Sequence, residues 1–330
     1  MTALAALTVA PSGALQAFVS PDFWIGVGVL AAIYGVFTLG LQLNVGNTGI
    51  VNFGQAGFMA IGAFSMAILV VKLGWPFGIA LAAATAITVL AGVLVALPTL
   101  RLREDYFAIV TLALAEIIRY TAQNARGLTG GNQGLLGFDG AWVNVASGVA
   151  DDLDRLAGLR SGRPDLLPLL VVAWTLLLVL AAWLSALQRT PWGRVLRAIR
   201  EDEDAARALG KNPFAYKLQS VAIAAAMGGF AGYLLALQLI HLSADSFQPQ
   251  FTFIGYTILV LGGLGSYAGV VGGSVVIWAL LEATRFVDLP LSDERIAALR
   301  FMLIGTILIA VMVVRPHGLF GKREEMHLGS

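Results

Sequence analysis

Apolar residues fall in long runs along this chain, at 23–43, 78–97, 106–120, 166–187, 218–240 and 299–314. A helix needs about 20 mostly apolar residues to cross a hydrocarbon core roughly 30 Å thick, and each run meets that length or comes near it. Trp24, Trp75, Trp174, Trp183 and Trp192 are candidates for interface anchors. Two further runs, 50–71 and 251–281, are long enough but interrupted. The first contains Asn52, Gly54, Gln55 and Gly57; the second contains Gly262-Gly263-Leu264-Gly265-Ser266 and Gly272-Gly273. Backbone freed by such breaks must be satisfied by protein or by water in a cavity, so broken segments are expected along a transport path. The pattern predicts an all-α, polytopic transmembrane bundle of about eight segments, broken ones included, forming one transmembrane domain over residues 1–330.

Charge then orients the bundle. The segment 188–217 carries Arg189, Arg194, Arg197, Arg200, Arg207, Lys211 and Lys217, and short basic loops stay in the cytoplasm. The tail with Arg315, Lys322 and Arg323 is expected on the same side. Working backwards places loop 122–165 outside, Arg101 and Arg103 inside, the turn at 72–77 outside and the uncharged N-terminus outside. Having both loop 188–217 and the tail inside requires an even number of crossings between them, which makes 251–281 a re-entrant or short hairpin element. The N-terminus is apolar without the basic region of a secretory signal, and is read as a mature start.

Composition narrows the function classes. Hydrophobic residues make up 58% and charged residues 12% of the chain, against about 25% charged in soluble domains. A net charge of +1 gives no reason to expect nucleic acid. With no cysteine there is no disulfide framework, thiolate nucleophile or thiolate metal site, and His241, His317 and His327 have no metal-binding spacing. No catalytic or metal-ligating residue is assigned.

The basic segment is the most informative. Pro191 and Gly193 precede a helical run that Gly210 can close in a left-handed cap and Pro213 cannot continue. Glu203 and Arg207 form a favourable i,i+4 pair. The small residues Ala205, Ala206 and Ala208 on its surface would let another protein approach closely; a solvated connector is the plainer alternative. Elsewhere, Glu116 and Arg119 stand at i,i+3 near the outer end of a span and are read as a structural ion pair, with contact to substrate the alternative. Asn52 and Gln55, three apart, would share a helix face and offer neutral donors and acceptors to a solute, or serve interhelical hydrogen bonding. Gly54, Gly57 and Gly62 are read as sites of close helix packing. Together with Gly263, Gly265 and Ser266, residues Asn52, Gln55, Gly54 and Gly57 are the candidate translocation path.

The stretch Asp204-Ala205-Ala206-Arg207-Ala208-Leu209-Gly210 resembles the coupling motif of ATP-binding-cassette importer permeases, Glu-Ala-Ala, three residues, then Gly, with Asp in place of Glu. Residues 100–119, the following Leu128-Thr129-Gly130-Gly131-Asn132-Gln133-Gly134, and the glycine-rich blocks 46–64 and 261–269 resemble the branched-chain amino acid permeases, the larger of their two permease subunits in particular. These blocks run from about residue 37 to residue 321 in the family's order. Gln55 stands where many members have His. The resemblance implies a permease of the bacterial inner membrane that imports branched-chain amino acids, or related solutes such as urea, by alternating access. It implies Asp204, Ala205, Ala206 and Gly210, with Arg200 and Arg207, as the surface that couples to the ATPases. The implied partners are a second homologous permease, two ATPase subunits that hold ATP and Mg, and an external solute-binding protein. No cofactor is expected on this chain, which agrees with the absence of any Gly-x-x-x-x-Gly-Lys-Ser/Thr. The aspartates Asp139, Asp151, Asp152 and Asp154 make loop 122–165 a docking surface for the binding protein or solvated structure. The competing reading is a stand-alone secondary transporter or channel, which would place ionisable residues in the bundle interior. A membrane-embedded enzyme is the third, with no clustered chemistry to support it.

Overall fold

The computed structural model describes residues 21–157 and 165–283, together with isolated positions between 295 and 319. The expectations for the N-terminus and for most of the run 299–314 lie outside the described residues, although its described positions are helical. The rest is helix and connector: α1 (Pro21–Leu41), α2 (Gln55–Val71), α3 (Phe77–Thr99), α4 (Glu104–Asn124), α5 (Arg126–Thr129), α6 (Gly140–Ala157), α7 (Leu166–Leu187), α8 (Pro191–Glu201), α9 (Glu203–Ala208), α10 (Pro213–Leu239), α11 (Gln250–Gly262) and α12 (Tyr267–Ala283). Among the described residues the only β-pairing is an isolated bridge between Leu135 and Leu242.

The bundle is organised around α10, which packs against α1, α2 and α3; α1 in turn carries α7, α11 and α12. Small residues set these contacts. A Cβ on Gly62 of α2 would lie 2.5 Å from Gly229 Cα of α10, and one on Gly232 would lie 2.2 Å from the Met59 carbonyl. In lipid, where burying Leu against Leu gains nothing, close backbone approach of this kind is a main source of helix association.

Among the described residues, four helices are long and apolar enough to cross a membrane: 23–47 (α1 with its continuation), α3, α7 and α10. The interrupted run 251–281 forms a fifth unit, two helices bent by 117° that pack on each other. Helices α2 and α4 and the helical positions described within 299–314 account for the other apolar runs, in keeping with about eight segments, broken ones included. Two of these fall short of a full apolar span: the interruption leaves α2 at 17 residues, and α4 carries the charged Glu116 and Arg119 within its apolar run.

Two ends of the bundle are distinct. At one, Arg200 of α8 donates to the Gly46 carbonyl, and Gly46 lies against Gly265 in the turn between α11 and α12. Leu319 N–H donates to the Leu261 carbonyl at 2.8 Å, so the C-terminal stretch reaches this same end. Gly318 and Leu319 therefore lie at the same end of the bundle as the basic segment; Arg315, Lys322 and Arg323 of the tail lie outside the described residues. At the other end, His241 meets the Gln133 carbonyl at 2.8 Å beside the Leu135–Leu242 bridge.

Candidate functional site

The basic segment folds as a helical hairpin. Pro191 sits in the first turn of α8, whose buried residues Gly193, Leu196 and Ile199 repeat every third position and face the bundle. A Cβ on Gly193 would fall 2.4 Å from Gln188 backbone atoms, so only glycine allows the chain to turn in so tightly. The single helical run expected from the sequence is broken at Asp202, whose backbone is extended and whose carboxylate accepts from Ala205 N–H at 2.9 Å, capping α9. Gly210 closes α9 as expected: at φ 75°, with Gly210 N–H on the Arg207 carbonyl (2.9 Å) and Lys211 N–H on the Ala206 carbonyl (3.2 Å), it completes a Schellman motif.

Within this hairpin Ala205, Ala208, Asp204 and Arg207 are exposed, but Ala206 is only 3% exposed. Ala206 therefore supports the hairpin from inside and does not belong to a surface of small residues. Arg207 pairs with Glu203 at 2.9 Å and Asp204 at 2.8 Å, while Glu203 also receives Lys217 of α10 at 2.5 Å. Leu209, which sequence reasoning passed over, is 81% exposed at the tip.

The hairpin is tied to the first broken segment. Beyond α1 the chain forms a wide π turn over Gln42–Asn47 and then runs without helix through residues 49–54. Arg200 binds Gly46, and Asn47 Nδ2 donates to Gln188 Oε1 at 3.4 Å. The Gln42 carboxamide faces the second break, and assigning its oxygen to that side, the orientation that satisfies both groups, lets it accept from the N–H groups of Gly265 and Ser266, the latter at 3.0 Å. Gly263 and Gly265 hold φ of 105° and 84°, conformations that favour glycine, and Ser266 Oγ accepts from Gly269 N–H at 3.0 Å to cap α12. Hairpin, first break and second break thus form one contiguous chain of contacts.

Side chains of α4 and α11 satisfy freed backbone groups in and just beyond residues 49–54. Phe53 N–H donates to Thr111 Oγ1 at 3.1 Å, Tyr256 O–H donates to the Asn52 carbonyl at 2.9 Å, and Ala56 N–H donates to Thr252 Oγ1 at 3.2 Å. Asn52 does not share a helix face with Gln55. It precedes α2, and its Oδ1 accepts from Gly54 N–H at 2.8 Å, turning the chain into the helix. Gln55 Nε2 donates to the Ala224 carbonyl at 2.9 Å and the Phe37 carbonyl at 3.3 Å. Both side chains are fully buried. Asn52 Nδ2, Gln55 Oε1, Asn44 Nδ2, Asn47 Oδ1 and Thr38 Oγ1 are buried with no hydrogen-bond partner among the described residues, an unusual density of spare polar capacity for an interior. Gly54 and Gly57 act as packing glycines: their added Cβ atoms would lie 3.1 Å from the Thr111 carbonyl and from Ala115 Cα of α4.

At the opposite end, Arg119 Nε donates to Glu116 Oε2 at 2.9 Å, giving the expected ion pair. A second carboxylate, Asp245, meets Arg119 Nη1 at 3.2 Å from the 3-10 turn Ala244–Phe247. The sequence signal for Asp245 was its being the one acidic residue in the connector between α10 and α11. Beside this triad lies a cavity of about 460 Å³ lined by Leu112, Glu116, Arg119, Gln248, Pro249, Gln250 and Phe253. Phe253 stacks on Phe53 with centroids 5.2 Å apart, and Phe53 on Tyr256 at 5.0 Å, so aromatic rings connect the cavity to the first break.

Comparison with known proteins fixes the family. A family model described as "Branched-chain amino acid transport system / permease component" matches residues 24–312. The chain is 34% identical over 304 residues to the "High-affinity branched-chain amino acid transport system permease protein LivM" of Escherichia coli, and 33% identical over 304 residues to the protein of the same name in Salmonella typhimurium; each alignment covers 89% of this chain and 69% of the relative. It is also 26% identical over 336 residues to the "Probable branched-chain amino acid transport permease protein LivM" of Methanocaldococcus jannaschii, covering 88% of this chain and 91% of that one. No solved structure matches. The apolar helices, the interrupted segments and a match over most of the chain agree: it is a multi-pass membrane protein and belongs to the branched-chain amino acid transport system permease family.

Proposed function

We propose that this chain is one of two permeases in an ATP-driven importer of the bacterial cytoplasmic membrane, moving branched-chain amino acids or related small solutes inward by alternating access. The relatives' names supply the substrate class. The α8–α9 hairpin faces the cytoplasm, its positive charge favouring that side, and loop 122–165 faces outside, where the exposed Asp151 and Asp152 suit contact with a solute-binding protein. Two ATPase subunits hold ATP and Mg. The permease itself performs no covalent chemistry.

The observation that carries this reading is the direct linkage of the hairpin to both broken segments, through Arg200 to Gly46, Asn47 to Gln188 and Gln42 to Gly265 and Ser266. A partner pushing on the exposed residues Asp204, Ala205, Arg207 and Leu209 would move the backbone around Gly46. The seam of buried amides, with Asn52 and Gln55 at its centre and Gly54, Gly57, Gly263, Gly265 and Ser266 around it, is then the part of the path that repacks. Energy enters only as the difference in partner affinity between two conformations.

Affinity purification from the native membrane in mild detergent, followed by mass spectrometry, is expected to recover an ATPase and a second permease. Proteoliposomes of that complex should accumulate labelled leucine only with ATP inside the cytoplasmic compartment and binding protein outside. Recovery of an active chain alone, with uptake driven by an ion gradient, would replace this reading with a self-sufficient transporter.

A further inference from the structure

The importer reading leaves open what the bundle itself recognises once solute has been delivered. We infer that the cavity between α4 and α11 is an outward-side binding site for the zwitterionic head of an α-amino acid with an apolar side chain. This inference rests on the importer reading and narrows its substrate class.

Three properties of the cavity lead there. Its volume, about 460 Å³, is in the range of small-molecule sites, roughly 300–1,000 Å³. Its charged wall is bipolar. Glu116 and Arg119 sit one turn apart on α4, and the bonds to Glu116 and Asp245 use only part of the N–H set of the guanidinium. The guanidinium can therefore still receive a carboxylate, and Glu116 Oε1, which makes no hydrogen bond among the described residues, can receive an ammonium. One cation facing two carboxylates leaves a local excess of negative charge that favours the ammonium end. The third property is an apolar lining: Leu112, one turn below Glu116 on α4, and Phe253 of α11 both line the cavity and offer contact to a short aliphatic side chain, while Gln248 and Gln250 supply neutral amides.

This wall chemistry discriminates. A neutral solute such as urea would leave Glu116 and Arg119 with only each other and Asp245 as charged partners, whereas an amino acid offers each a further one, a charge-assisted bond that the neutral solute cannot make. The position is also suited to a relay. Phe253 stacks on Phe53, whose neighbour Asn52 is bonded by Tyr256, so an occupant touching Phe253 presses on the aromatic step above the first broken segment.

The test uses the complete importer with its binding protein in proteoliposomes. Glu116→Gln and Arg119→Gln should each lower leucine uptake roughly tenfold or more, while hydrolysis stimulated by the loaded binding protein persists. The double exchange Glu116→Arg with Arg119→Glu remakes an ion pair but reverses the bipolar wall relative to Leu112 and Phe253. It should restore assembly and leave uptake low; full uptake in the exchange would reduce the pair to structure and overturn the proposal. Because the chain contains no cysteine, Phe253→Cys supplies a unique thiol in it. Its labelling by an external maleimide should be slowed by leucine and unaffected by 4-methylpentanoate, which lacks the ammonium, or by isopentylamine, which lacks the carboxylate. Labelling unchanged by leucine in a complex that transports leucine would overturn the site alone. Wild-type complex that transports urea and excludes leucine would overturn the amino-acid reading and the site together.

Discussion

The helices at the centre of the bundle and those at its edge differ in the opposite sense from a soluble protein. In both the 23–47 span and α10, 78% of the apolar window is buried; in α3 the share is 28% and in α7 it is 33%, although α3 and α7 are the more apolar. Water would drive the most apolar helices inward. Lipid does not, because it solvates Leu as well as another Leu does. What must leave lipid are polar groups such as Thr38, Gln42, Asn44 and Ser220, all fully buried here. Smallness and polarity therefore decide which helices are central, and the polar seam that results is the part able to exchange partners.

The largest test of this contrast is at its centre. Gly62→Leu forces a side chain into the α2–α10 contact, and we expect loss of about 1–3 kcal/mol or more, seen as a lowered melting temperature of the purified complex or its failure to accumulate. Next comes the link from the hairpin to the seam. Arg200→Ala removes the bond to Gly46 without opening the core, and uptake should drop roughly tenfold while hydrolysis continues; a strict parallel loss of both would mean that Arg200 serves folding rather than coupling. Asp202→Ala removes the cap of α9, costing about 1 kcal/mol. The solute transported per ATP should fall a few-fold, and Asp202→Asn should recover most of it. The smallest effect belongs to the periphery: Leu90→Ala on α3, at a position 59% exposed, should shift stability within about 0.5 kcal/mol in the same melting assay. A large loss there would mean that this face is covered by protein.

Much of the candidate site was legible where a local rule applies. Gly210 as a left-handed cap, Glu116 with Arg119, and Gly57 and Gly62 as close-packing positions follow from stereochemistry or spacing within one turn. The break at Asp202 did not show, because Glu203 and Arg207 support a continuous helix and Ala205 stands where a capping box would carry Glu or Gln. Asn52 and Gln55 have helical spacing, yet the Asn52 carboxamide competes for the Gly54 N–H and wins. Ala206 could not be assigned a face in a six-residue helix until α8 and α10 enclosed it.

The sequence by itself determined the solvent, the helical class and the positions of the two interruptions, since each depends on run length or glycine conformation along the chain. Only the tertiary structure decided which helices are central, that Arg200 reaches Gly46, that Gln42 reaches the second break and that Asp245 joins Glu116 at Arg119. Those pairings span up to 223 positions, as between Gln42 and Gly265. They depend on where small residues let backbones approach, a property of two surfaces meeting that no single segment carries.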